Sequence, residues 1–299
     1  MDYSNTLYIA DSYNNRVQKY LRNASFGETV AGQETGVAGS TADTLHYAAD
    51  LVLDVNGDIY VSEVNNDRVQ LWTSGSTTGV TVAGTGISSY STWFAAYFLV
   101  NILIGTAGSA NNELDAPYGI TRDPMSKALY IVDRFNYRVM RYSYNASYGT
   151  VVAGGNGQGT SNTQLYSPTG IYLDVLSNSL LIATYLGNNV VRWTLGASNW
   201  EIVAGHYDGT IGNSSAGLNS PIDVMLDPMG NCYVADYFNY RIQFFPVGER
   251  NGTTIAGVTS VPGTDATSLD RPGSVILDNQ LNLYVADRFN HRVQKFMRY

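Results

Sequence analysis

The fourteen residues LYVADRFNHRVQKF at 283–296 nearly repeat LYIADSYNNRVQKY at 7–20. A motif that recurs at a fixed period constrains a fold strongly, because each copy must bury its apolar face against the next. Four more copies lie between these two: IYVSEVNNDRVQLW, LYIVDRFNYRVMRY, LLIATYLGNNVVRW and CYVADYFNYRIQFF. The six begin at positions 7, 59, 129, 180, 232 and 283, so the period is 51 or 52 residues with one interval of 70.

Each period carries further landmarks. An Ala-Gly pair follows the motif at Ala31-Gly32, Ala83-Gly84, Ala153-Gly154, Ala204-Gly205 and Ala256-Gly257. A leucine comes next (Leu45, Leu114, Leu165, Leu218, Leu269), then three residues on a proline, with Ala48 as the exception. A short apolar run then closes on Asp54, Asp123, Asp174, Asp227 or Asp278. The apolar runs are short, rich in Val, Ile and Tyr, and bounded by Gly, Asn, Asp or Pro, which predicts four strands per period and no helix. Four antiparallel strands per roughly 50 residues describe a propeller blade. The expected fold is all-β, a six-bladed β-propeller occupying 1–299 as one domain. Strands such as LYIA and CYVA read as continuous apolar runs, as expected for strands covered on both faces.

The wording L-Y-V-A-D-x-x-N-x-R-V-Q-K-F resembles the NHL-repeat family of β-propellers, and the resemblance runs through all six copies. It implies the propeller fold. For function it implies little, because the family includes interaction modules, sensor domains and some enzymes.

Within the motif an acid precedes a base by five residues: Asp11/Arg16, Glu63/Arg68, Asp133/Arg138, Asp236/Arg241 and Asp287/Arg292. A hairpin would bring each pair together as a charge-assisted contact. The fourth copy has Thr184 and Asn189 instead. Losing both partners at once is what a structural pair predicts, since one buried charge left alone is costly.

The first copy lacks a preceding strand beyond Met1-Asp2, and only Met297, Arg298 and Tyr299 follow the last. The first and last blades are therefore expected to be incomplete and the chain a fragment of a longer protein. Gly84 and Leu114 lie 30 positions apart, against 11 to 13 in the other periods. The excess, near 87–104, includes STWFAAYFLVNILIG, which is too short to span a bilayer. It reads as an apolar flap or membrane-touching loop, as a core-packed elaboration, or as a retained intron.

Chemistry is sparse. The charge is −8, with 25 acids against 17 bases, and no basic run suited to nucleic acid appears. Cys232 stands alone in an apolar stretch and is expected to be buried. His46, His206 and His291 fall in three different periods, so no metal site and no cofactor is expected. The strand-closing Asp residues recur in every blade, which suits turn capping. The glycine-rich AGGNGQG has no following helix to favour phosphate.

Aromatic residues are more informative. Tyr13, Phe135, Phe238 and Phe289 occupy the turn inside the motif, joined by Tyr137, Tyr240 and His291. They form candidate ligand-binding positions for a protein, peptide or glycan; the competing expectation is that each ring packs on the neighbouring blade. Sequons at Asn23, Asn145, Asn213 and Asn251 are candidate glycosylation sites. Three of them share one connection, away from the aromatic turns, and favour a secreted or extracellular setting. The reading is a non-catalytic binding or scaffolding module. The alternative is a metal-dependent lyase or lactonase-like enzyme with its site at the central channel.

Overall fold

A computed structural model describes residues 1–86 and 108–298, and the segment 87–104 lies outside the described residues. Six antiparallel sheets follow the six motifs, and every strand pairs with its chain neighbours. The first sheet has three strands, Leu7–Asp11, Arg16–Tyr20 and Glu28–Gly32. The next four have four each. They begin at Ala48–Leu53, Pro117–Arg122, Pro168–Asp174 and Pro221–Leu226, and end at Val80–Gly84, Thr150–Gly154, Glu201–Gly205 and Thr253–Gly257. The sixth again has three: Pro272–Leu277, Leu283–Asp287 and Arg292–Phe296. The fold is a six-bladed β-propeller whose first and last blades are incomplete. Two compact units divide the chain, Met1–Val152 and Ala153–Tyr299.

The landmarks of the repeat now acquire physical causes. The five spaced leucines are all at most 1% exposed. In the first unit Leu45 joins Val17, Ala31, Ile59, Val61 and Trp72 in one core, and Leu114 joins Val69, Ala83, Ile131 and Met140 in another. In the second unit Leu218 packs with Leu181, Val190, Ala204, Val234 and Phe245. Each core therefore takes one leucine and the alanine of one Ala-Gly pair; burying such a leucine stabilises by about 2 kcal/mol. The glycine of the pair has a different cause. Gly32, Gly84, Gly205 and Gly257 all adopt φ between 76° and 82°, and a Cβ at Gly84 or Gly257 would run into the carbonyl oxygen of Asp67 or Tyr240.

The strand-closing carboxylates cap the turn that follows. Asp54 accepts the backbone N–H groups of Asn56 and Asp58, Asp227 those of Met229 and Asn231, and Asp278 those of Gln280 and Asn282. Cys232 is buried, and burial pushes its thiol up to about 12. The second strand of a blade is fully covered at Ile59–Glu63 and Leu129–Asp133. It is only half-buried at Leu7–Asp11, which stands at the edge of its sheet because no further described strand pairs beyond it.

Candidate functional site

The motif folds as strand, one 3-10 turn, strand. In five sheets the turn is Ser12–Asn14, Val64–Asn66, Arg134–Asn136, Tyr237–Asn239 or Arg288–Asn290. Antiparallel pairing puts this turn at one end of each sheet, and the hairpin between the third and fourth strands at the other. The acid and base that flank the turn are direct cross-strand partners, as at Asp236↔Arg241. All five expected pairs form, with Arg Nε to carboxylate distances of 3.0 Å for Arg16–Asp11, 2.6 Å for Arg68–Glu63 and Arg138–Asp133, and 2.8 Å for Arg241–Asp236 and Arg292–Asp287.

The pair is part of a larger clamp. The carboxylate also accepts the backbone N–H of the connection entering its own sheet: His46 for Glu63, Asp115 for Asp133, Asn219 for Asp236 and Asp270 for Asp287. The guanidinium donates to carbonyls of the same connection, Arg241 reaching Asn213, Ser214 and Gly217. The motif asparagine spans both groups, since Asn239 donates to Asp236 and to the Gly212 carbonyl. D-x-x-N-x-R is thus a staple that ties a long loop to the hairpin behind it. In the fourth sheet Thr184 donates to Asn189 Oδ1 at 2.6 Å, and Gly187 stands where the asparagine would be. Thr184, Gly187, Asn189, Gln164 and Trp200 line a tight crevice there, with no room for a water molecule.

Burial dominates the electrostatics of the clamp. Desolvation raises Glu63 and Asp133, and pushes Asp236 up to about 6 against the opposing pull of Arg241 and the Asn219 N–H. Asp115 also rises to about 6, through burial first and then through the facing carboxylates of Asp67 and Asp133.

The aromatic positions divide. In the first unit Tyr13 is 72% exposed and meets Tyr47 edge-on at 5.6 Å, while Phe135 is 46% exposed beneath the Arg134 guanidinium. Arg134 also lies over Tyr118 at 5.3 Å. In the second unit Phe238 is half-buried, 6.2 Å from Tyr185 of the preceding blade and 4.9 Å from Tyr237. Tyr237 in turn faces Phe289 of the following blade at 6.5 Å, and Phe289 is 42% exposed. Phe238 therefore packs between blades, whereas Tyr13, Phe135 and Phe289 present open surface.

Tyr137, Tyr240 and His291 sit one residue past the turn, each with φ near 55°. At that same position Asn15, Asp67 and Asn188 accept the N–H of Tyr47, Ala116 and Ser220, stitching one blade to the next. The three ring-bearing residues do not carry that short acceptor. Tyr137 and Tyr240 are half-buried and His291 is exposed.

Three contributors escaped the sequence reading. Tyr185 and Tyr237 occupy the first turn position, and Arg271 precedes the sixth sheet, with its guanidinium 4.2 Å from the Phe289 centroid and 5.7 Å from that of Phe238. Aligning the repeats would have exposed Arg271, because its counterparts are Tyr47, Ala116, Ser167 and Ser220.

The four sequon asparagines are exposed. Asn23, Asn145 and Asn251 lie in hairpins between third and fourth strands, at the sheet ends opposite the motif turns, and Asn213 lies in the connection held by Arg241. His46 is in the connection entering the second sheet, His206 in the one leaving the fourth, and His291 at the sixth turn. Among the described residues no three His, Cys, Asp or Glu side chains converge as a metal site would require, and no helix is long and apolar enough to cross a membrane.

These features define a class, the six-bladed β-propeller with a motif clamp in its blades. Within that class the sequence is similar to the NHL repeat: the NHL repeat model matches residues 269–296, the last copy of a motif present six times. NHL repeat-containing protein 2 of Homo sapiens is 37% identical over 87 residues, a match covering 27% of this chain and 12% of that protein. An auxiliary nutrient binding protein from Bacteroides thetaiotaomicron superposes with a TM-score of 0.65 at 16% identity, covering 97% of this chain and 65% of that one. Streptogramin B lyase superposes at 0.57 and 10% identity, covering 98% of this chain and 80% of its own. At such identities the likeness carries the fold alone.

Proposed function

We propose that this chain is a non-catalytic binding and scaffolding propeller. It recognises a protein, peptide or glycan partner through the motif-turn ends of its blades. The observation that carries this reading is the set of open aromatic rings at those turns, on a backbone that the clamps hold rigid. Recognition is usually built from loops on such a scaffold, and exposed aromatic anchors each contribute about 2 kcal/mol when a partner encloses them. One structural relative is named for nutrient binding and another is a lyase, so the fold supports both kinds of work. The carboxylates of the motif and of the strand-closing turns, such as Asp236 and Asp227, already serve the fold as clamps and caps. A secreted or cell-surface setting belongs to the same proposal, because glycans at Asn23, Asn145 and Asn251 would leave the motif turns clear.

The test replaces Phe135, Phe238 and Phe289 by alanine and measures partner capture from an extracellular extract, alongside the melting temperature. Loss of capture by a folded variant supports the reading. Undiminished capture by a folded variant removes the aromatic turns from it, and unfolding of the variant assigns the rings to the core.

A further inference from the structure

The second unit holds an arginine whose setting the clamp does not explain. Arg271 stands between the rings of Phe289 and Phe238, at 4.2 Å and 5.7 Å, and its Nε is buried without a hydrogen-bond partner. Its backbone adopts φ 52°, a left-handed conformation that costs about 1 kcal/mol in a non-glycine residue. The clamp arginines, by contrast, donate from the guanidinium to a carboxylate and to loop carbonyls.

Three carboxylates of the last two sheets are already committed. Asp236 is held by Arg241, Asn239 and the Asn219 N–H, and Asp287 by Arg292, Asn290 and the Asp270 N–H. Asp223 is occupied by Ser274 and the Val275 N–H. Arg271 thus forms no ion pair among the described residues, and its guanidinium lies over aromatic carbon. A guanidinium held over a ring keeps N–H groups for a planar oxyanion, which a carboxylate meets in bidentate fashion.

We infer that Arg271, flanked by Phe289 and Phe238, is a subsite for a single carboxylate on a ligand whose apolar body lies on the neighbouring rings. This deepens the binding reading proposed above and rests on it. One guanidinium edge suits a monoanion, and the net charge of −8 disfavours a polyanion. A charge-assisted bidentate contact next to apolar rings is worth about tenfold in affinity.

The experiment uses the whole chain and three probes: N-acetyl-L-phenylalanine, its carboxamide and phenyl phosphate, each titrated by NMR. The acid is expected to bind about tenfold tighter than the carboxamide. In Arg271→Gln that preference should vanish while the carboxamide still binds. Equal affinity of acid and carboxamide for the unaltered chain overturns the carboxylate subsite and leaves the aromatic reading standing. Binding of neither overturns both. Tighter binding of phenyl phosphate overturns the assignment to a monoanion, as does a folded Arg271→Gln that still prefers the acid. Should that variant fail to fold, the acid–carboxamide comparison on the unaltered chain decides.

Discussion

At the residue scale, the clamp makes each motif carboxylate a hub. Asp236 is fully buried and accepts from Arg241, Asn239 and the Asn219 backbone. Asp236→Ala would leave the guanidinium buried without its acid and should cost about 3–5 kcal/mol in chemical denaturation. Asp236→Thr with Arg241→Asn, the pair present in the fourth blade, should recover part of that loss. Equal damage from both variants would contradict the pairing. Asp115 behaves differently, because its partners are themselves acids. Its folded-state value of about 6 lies above the unfolded one, so its contribution to stability is present below about pH 4 and is lost as pH rises through about 6. Asp115→Asn should therefore melt higher at pH 7, by about 2 °C after allowing for solvent screening, and should flatten the pH dependence between 4 and 6. Parallel curves for variant and parent would show that the neighbouring carboxylates do not act on this group.

At the scale of the element, the fourth blade shows how separable the clamp is. Thr184, Gly187 and Asn189 replace acid, asparagine and arginine together, and the loop is held otherwise, by Gln164 donating to the Asn156 and Gln158 carbonyls and by Trp200 donating to that of Gln164. Asn189→Arg alone should destabilise this blade by burying a lone charge, and adding Thr184→Asp should restore it. A double-mutant cycle is expected to return about 2 kcal/mol or more of favourable coupling; additivity would mean this blade cannot seat the pair. Most of the element was legible in the sequence, since short continuous apolar runs, the Ala-Gly pair and the five-residue acid–base spacing each have one dominant cause. The left-handed residues before the first strands were not. Tyr47, Ala116, Ser167, Ser220 and Arg271 share φ between 51° and 57° without a glycine or asparagine to announce it. Tertiary hydrogen bonds impose that conformation on at least three of them, through Asn15, Asp67 and Asn188. For the same reason the aromatic positions could be named from the sequence but not sorted, because openness at Phe289 and packing at Phe238 depend on residues a blade away.

At the scale of the whole molecule, the proposed function has partners engage the motif-turn ends of the sheets and leave the opposite ends free. The buried thiol of Cys232, with its pKa pushed up to about 12, leaves an introduced surface cysteine as the reactive one. A bulky maleimide polymer can thus be attached at Phe289→Cys, in a motif turn, or at Glu249→Cys, in a hairpin at the other end of the fifth sheet. Partner capture is then compared before and after attachment on each folded variant. Capture is expected to be lost only when the polymer sits at position 289. Loss only at position 249, or full capture with both positions blocked, would contradict it.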